Sequence, residues 1–184
     1  TSSTSTSSGM TDTSSSTGTS PDCIPTDLTG PKGDECGVFV DPGGGNDANP
    51  GTLAAPKKSF ANGLAALTAG KILYLCEGTV PDMAGPILPA GTQVIGGLDC
   101  GDFKKKQGAR TTIAPDQGQI GMRFADGAGK TEVRGLSIAV TADILPGSSA
   151  IGIIIGDVEV DLQEVDVVVG DVMFGQFSFT PMDD

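Results

Sequence analysis

VFVDPGGGNDANPGTLAAPKKSFANGLAALTAGKILYLCEGTV, residues 38–80, places one helix between two strand-like runs. Val38-Phe39-Val40 has strand composition and stops at Asp41-Pro42, because proline lacks the N–H a ladder needs. The loop 43–51 requires positive φ at several positions, which its glycines and asparagines supply at low cost. Ser59 is an N-cap, Phe60, Leu64 and Leu67 recur at i, i+4 and i+7 with Ala61 and Ala65 beside them, and Gly70 is a C′ stop. This predicts a short helix over about 59–69, with Ile72-Leu73-Tyr74-Leu75 resuming strand.

No helical period follows. Thr92-Gln93-Val94-Ile95, Thr111-Thr112-Ile113, Met122-Arg123-Phe124, Glu132-Val133, Leu136-Ser137-Ile138 and the runs 151–155, 158–162 and 165–169 are short and mostly β-branched. Their spacing is too regular, and their turns too irregular, for tight hairpins; Asp126-Gly127 comes nearest to a two-residue link. Val133-Arg134-Gly135-Leu136-Ser137-Ile138 and Leu162-Gln163-Glu164-Val165-Asp166-Val167 share the pattern apolar-x-x-apolar-x-apolar at an offset of 29 residues. A repeat of that length marks a solenoid. The expected fold is all-β, a single-stranded parallel β-helix over 38–184 with the helix capping its N-terminal end. A β-sandwich is the competing arrangement.

Sixteen of the first twenty residues are Ser or Thr, and Met10 is the one apolar residue among them. Such a tract cannot offset the entropy of ordering its backbone, so residues 1–22 are expected to be a disordered, hydrated tether and a candidate for O-glycosylation. Residues 23–37, with Gly30, Pro31 and Gly33, form a transition segment. At the other end Val165 to Val169 reads as a buried strand followed by Phe174, Phe177 and Phe179. A parallel coil must cover its last turn, so either Phe174 to Met182 forms a weak cap or the coil is a fragment whose open end contacts another chain.

The 184 residues carry a net charge of −12 and contain no His and no Trp. Clustered cations are what bind phosphate backbones, so nucleic acid is excluded as a partner. Lys104-Lys105-Lys106 with Arg110 is the lone basic cluster and reads as a solvated loop. Without histidine, Ser-His-Asp and Cys-His chemistry is impossible within the chain. No apolar run approaches the roughly 20 residues of a membrane helix. No signal peptide is visible at Thr1, so the chain is expected either to be a mature form or to begin after such a segment.

Cys23, Cys36, Cys76 and Cys100 contain no CxxC pair and have no histidine to complete a zinc set. Disulfides are expected, and with them an oxidising compartment. Of three pairings, Cys76–Cys100 and Cys23–Cys36 are preferred. The first pair lies 24 residues apart, close to one turn of a coil whose successive strands stack about 4.8 Å apart.

The run from Val38 to Thr79 resembles the opening module of bacterial secreted right-handed parallel β-helix proteins of the pectin-lyase-like superfamily. The matching pieces are Val40-Asp41-Pro42-Gly43, Asp47-Ala48-Asn49-Pro50-Gly51-Thr52, Pro56, Ala66-Leu67 and Leu75-Cys76-Glu77-Gly78-Thr79. They continue through Leu88-Pro89-Ala90-Gly91-Thr92-Gln93-Val94-Ile95-Gly96-Gly97-Leu98-Asp99-Cys100, then Arg110-Thr111-Thr112-Ile113, and reach Val133 to Ile138. The resemblance implies a right-handed coil. It also implies display at the cell surface, since the Ser/Thr tract is similar to that of exported, often lipid-anchored members. No lipobox cysteine is present. The Asn-Thr-Asp, Gly-His-Gly and Arg-Ile-Lys motifs of polygalacturonase-type enzymes do not occur, the single Asp-Asp pair, Asp183-Asp184, stands without them, and no Arg or Lys stands beside acidic residues in pectate-lyase spacing. No catalytic residue carries over.

Two patterns remain as candidate sites. Glu159 and Asp161 alternate with Val158, Val160 and Leu162, which points both carboxylates outward about 7 Å apart, within the range of inverting glycosidases. An outward acidic row on a soluble strand explains them equally well. Asn46, Asp47 and Asn49 form a weak Ca²⁺ candidate, with turn chemistry the simpler reading. Asp116, Asp126, Asp143, Asp157 and Asp171 all end strand runs and need no further explanation. The expected function is that of an exported, non-enzymatic surface module, structural or binding a ligand such as carbohydrate. The alternative is a polysaccharide-binding or -degrading protein whose active residues lie on coils outside this chain. No cofactor is expected, and polysaccharide or cell-envelope components are the expected partners.

Overall fold

The computed structural model describes residues 21–80, 84–141 and 149–170. The tether up to residue 20, Asp143, Asp171 and the segment Phe174 to Met182 lie outside the described residues. Among the described residues one helix, α1 (Phe60–Ala66), and twelve strands follow a 3-10 turn at Pro21–Cys23. The strands are β1 (Gly37–Val40), β2 (Ile72–Cys76), β3 (Gly78–Val80), β4 (Ile87–Leu88), β5 (Gln93–Leu98) and β6 (Thr111–Ile113). They continue as β7 (Met122–Phe124), β8 (Thr131–Arg134), β9 (Leu136–Val140), β10 (Ile153–Ile155), β11 (Val160–Gln163) and β12 (Asp166–Val169).

Three sheets are built from them, in the orders β1-β2-β5-β8-β11, β3-β6-β9-β12 and β4-β7-β10. Every strand pairing among the described residues is parallel. From β2 onward the chain visits the first, second and third sheet in that order, again and again. The antiparallel ladders of a β-sandwich are not what the register shows. The repeat seen in the sequence falls on this register, since Val133 pairs with Leu162 and Ile138 with Val167. Circuits vary in length: Leu73 to Val94 is 21 residues, Val94 to Val133 is 39, and Val133 to Leu162 is 29. β3 and β4 went unpredicted, being two or three residues long in a stretch rich in Gly and Pro.

Stacked strands put like residues above like. Leu73, Val94 and Val133 form one inward column, Val80, Ile113 and Ile138 a second, and Leu88 with Phe124 a third, all at most 3 % exposed. Burying each such side chain contributes about 1.5–3 kcal/mol, which is why these positions must be aliphatic or aromatic. Helix α1 closes the end of this core with Phe60, and Leu64 and Leu67 pack beside it. Ser59 caps the helix as expected, its hydroxyl accepting from the Asn62 N–H at 3.3 Å. Two details differ from expectation. The helix ends at Ala66, because Leu67 turns extended to lie over the core, while Gly70 (φ +77°) instead shapes the turn into β2. Ala61 and Ala65 are exposed, and Gly63 takes the buried place, where a Cβ would meet Val40 Cγ2 at 2.4 Å.

A second apolar cluster lies outside the sheets. Phe39, Ile72, Tyr74, Cys76 and Leu98 face away from the inner core, covered by Cys23, Cys36 and Phe103. Phe39 stacks on Tyr74 at 4.9 Å and meets Phe103 edge-on at 5.0 Å. The Tyr74 hydroxyl donates to the Cys23 carbonyl at 2.6 Å, and burial pushes its pKa up. Residues 23–36 are therefore packed against the outer face of β1 and β2. Both preferred disulfides are present, Cys23–Cys36 and Cys76–Cys100, with Cα separations of 5.2 and 4.9 Å. Cys100 is not the ladder partner of Cys76, however. A bulge between Tyr74 and Cys76 in this pairing sets Leu98 opposite Cys76, and the disulfide closes across the following turn.

Candidate functional site

Beyond the clamp formed by residues 23–36, the outer face of the first sheet changes character. Its outward columns read Ile72-Gln93-Glu132-Asp161 and Tyr74-Ile95-Arg134-Gln163. The apolar members lie under the clamp, and the polar members are open. At the boundary a groove of about 110 Å³ runs between Ile24 and Pro25 on one side and Ile95, Arg134, Gln163 and Glu164 on the other. It continues past Glu132 and Gln93 in one direction and toward Arg110 and Asp27 in the other.

The rim is charged but self-neutralising. Glu164 pairs with Lys105 at 3.2 Å and with Arg110 at 3.5 Å, and Arg110 Nε lies 3.4 Å from Asp166. Lys130 bridges Glu132 at 3.2 Å and Asp161 at 2.8 Å, and Arg134 lies 3.5 Å from Glu132. Lys104 pairs with Asp102, and Lys106 with Glu77. Every cation of the basic cluster thus has a carboxylate beside it, so the cluster presents no free positive patch. Arg110 Nε is the exception in hydrogen bonding: it is buried and has no hydrogen-bond acceptor among the described residues.

Glu164 sits at the corner between β11 and β12 with φ +53°, a backbone region that disfavours side chains. One circuit earlier Gly135 holds the same corner at φ +68°. Neither Glu164 nor the groove was singled out from the sequence. The repeat carried the signal, because it aligns Glu164 with Gly135 and so marks a side chain where the turn calls for glycine.

The candidate carboxylates are placed as follows. Asp161 lies in β11, held by Lys130 and by Gln163 Nε2 at 3.2 Å, and the Lys130 hydrogen bond keeps its carboxyl below the usual range. A general acid needs the opposite shift. Glu159 precedes the strand and is exposed. Asp126 Oδ1 accepts from the Asp157 N–H at 2.6 Å, binding two turns together. Asp41, near Cys76 and Cys100, accepts from the Gly43 and Gly44 N–H groups at 2.8 Å, and the two sulfurs are joined to each other rather than offered as ligands.

Asn46, Asp47 and Asn49 are brought together, and each has local work. Asn46 Oδ1 accepts from the Ala48 N–H at 2.9 Å, and Asn49 Nδ2 donates to the Pro56 carbonyl at 2.9 Å. Asp47 Oδ1 accepts three hydrogen bonds, from Lys58 N (3.0 Å), Ser59 N (2.9 Å) and Ser59 Oγ (3.0 Å). Partial burial pushes the Asp47 carboxyl up, but these bonds outweigh it and the net shift is downward. Replacing Asp47 with alanine is expected to destabilise the fold by about 1–2 kcal/mol. Because the folded value is depressed, that stabilisation is complete above about pH 4 and fades as pH falls through the folded value. Urea midpoints at pH 6 and pH 3 check this; the gap between wild type and Asp47→Asn should narrow at the lower pH.

The aromatic side chains among the described residues, Phe39, Phe60, Tyr74, Phe103 and Phe124, are all at most 3 % exposed. The groove therefore offers no ring for stacking. It offers an apolar floor from Ile24, Pro25 and Ile95, with donors and acceptors of both charge signs around it. Among the described residues no helix is long and apolar enough to cross a membrane. No family model, curated protein or solved structure matches this chain.

Proposed function

We propose that the chain is an exported, right-handed parallel β-helix that works as a surface module, structural or ligand-binding, without catalysis of its own. The cyclic visiting of three parallel sheets is the observation that carries the fold reading, since a strand-to-parallel-strand crossover is right-handed in about 98 % of cases. It agrees with the resemblance to secreted pectin-lyase-like proteins. The two disulfides favour an oxidising compartment and hence export.

Binding is favoured over catalysis by the state of the acidic groups. The carboxylates at the groove are neutralised by neighbouring cations, and Asp161 is shifted toward its charged form. An apolar floor ringed by Arg134, Gln163, Glu164 and Lys105 suits the hydroxyls and C–H faces of a saccharide. Carbohydrate is accordingly the ligand class we favour. The loop 43–51 serves as a brace for α1 in this reading, and added Ca²⁺ is expected to leave the thermal midpoint unmoved.

Incubation with neutral and acidic polysaccharides is the test. Retarded migration in glycan-containing gels with no release of reducing ends or unsaturated product is the expected result. Release of either product sinks the non-catalytic reading and favours the degrading alternative. Absence of retardation on every glycan sinks carbohydrate binding and leaves a structural role.

A further inference from the structure

Glu164 is a side chain that its turn does not ask for. Its corner, at φ +53°, repeats the Gly135 corner of the circuit before, at φ +68°, a conformation that glycine adopts without strain. Side chains held in such regions cluster at ligand-binding sites. Here the neighbouring site is the groove between the clamp and the first sheet, which Glu164 lines both beside Arg134 and toward Arg110.

The charges along that groove balance. Among the described residues Lys105, Arg110 and Arg134 line it, and so do Asp27, Glu132 and Glu164. Glu132 lies 3.5 Å from Arg134 and is shared with Lys130. Glu164 serves two cations at once, Lys105 through Oε1 at 3.2 Å and Arg110 through Oε2 at 3.5 Å. Both cations have other ties. The Lys105 N–H donates to the Thr26 carbonyl of the clamp at 3.0 Å, and Arg110 Nη1 donates to the Ala109 carbonyl at 2.8 Å. Arg110 also keeps Asp166 at 3.4 Å, whereas Glu164 is the one carboxylate paired with Lys105 among the described residues. Loss of Glu164 alone would therefore free Lys105 and tip the groove to a cationic excess, in a chain whose net charge is −12.

We propose that Glu164 sets the charge selectivity of the groove: it holds the site electrically neutral, so that an uncharged saccharide is admitted and an anionic one is turned away. The inference rests on the carbohydrate reading above. A neutral sugar loses little to Glu164, because a carboxylate in an ion pair still has lone pairs for a hydroxyl donor. An anionic sugar meets the carboxylate's charge and finds Lys105 and Arg110 already engaged, which is specificity built on repulsion of the wrong ligand. Like charges about 4 Å apart near a protein surface repel strongly enough to separate two affinities by about tenfold or more.

The test uses the full 184-residue chain and pairs each neutral glycan that retards it in a gel with the same glycan oxidised at C6 to its uronate. The wild type should be retarded by the neutral form alone. Glu164→Gln and Glu164→Gly should keep neutral binding within about twofold and should bind the uronate form about tenfold more tightly than the wild type, a gain that added salt removes. Asp116→Asn makes the same change in net charge at an exposed residue that does not line the groove, and should gain nothing. Melting curves confirm that each variant is folded, and Glu164→Gly, which relaxes the backbone, serves if Glu164→Gln is not. Retardation of the wild type by the uronate form as strong as by the neutral one would overturn this inference alone. So would the absence of a uronate gain at Glu164, or an equal gain in Asp116→Asn. A wild type that no glycan retards sinks the carbohydrate reading and this inference with it.

Discussion

Gly135→Ala should lower stability by about 3 kcal/mol or more and the thermal midpoint by roughly 6–12 °C, a loss large enough to read directly from melting curves. Gly135 turns the chain from β8 into β9 at φ +68°, where any side chain strains the backbone by about 1 kcal/mol or more. Space adds to the strain. A Cβ here would stand 2.4 Å from the Gly96 carbonyl oxygen and 2.9 Å from its carbon, both backbone atoms of the circuit below. Relief requires the stacked corner to open, and the Gly135 carbonyl that accepts from Thr111 N at 3.1 Å moves with it. Thr111 is buried and its hydroxyl donates to the Cys76 carbonyl at 2.8 Å, so the damage reaches a third circuit. Glu164→Gly at the next corner is the contrasting control. It relieves φ +53° and removes exposed ion pairs of little worth, so stability should hold or rise slightly. Equal losses at the two corners would show that stacking, as described, does not set the cost.

Why the inner core was legible and the outer face was not follows from this geometry. Columns of Leu, Val and Ile recur because each circuit presents the same inward place, so alternation in Thr111-Thr112-Ile113 or Leu136-Ser137-Ile138 was enough to find them. The 29-residue offset even gave the register. The outer cluster has no such period. Phe39 and Tyr74 are ladder partners in β1 and β2, but Phe103 and the Cys23–Cys36 segment reach them from other parts of the chain. Nothing local in Cys23 to Gly37 announces that contact. The helix was found by its cap and apolar spacing, but the buried place of Gly63 was not, since the closeness of Val40 is a tertiary fact. The groove belongs to the same class. Its walls lie up to 140 residues apart in the chain, from Ile24 to Glu164, and it exists only where clamp meets sheet.

Reduction should be the most damaging single treatment. In the chain-entropy account, closing 13 residues between Cys23 and Cys36 is worth about 3 kcal/mol, and closing 24 between Cys76 and Cys100 about 3.5 kcal/mol. Their sum is comparable with the whole stability of an ordinary domain, about 5–15 kcal/mol, so the reduced chain is expected to be largely unfolded at 37 °C. The two bonds differ in access and in consequence. Cys100 is exposed, whereas Cys23 and Cys36 are 8 % and 3 % exposed, so mild reductant should open Cys76–Cys100 first. That step unpins a turn and leaves both cores packed. Opening Cys23–Cys36 frees the segment that covers Phe39, Tyr74 and Ile72, and it loosens the carbonyl to which the Tyr74 hydroxyl donates. Alkylation with mass mapping across a reductant series gives the order, and near-UV circular dichroism of the chain's single tyrosine reports release of the clamp. The Tyr74 signal should survive the first step and collapse at the second. Loss of that signal while Cys23–Cys36 is still intact would mean that the clamp is held by the Cys76–Cys100 turn, and the division of labour drawn here would be wrong.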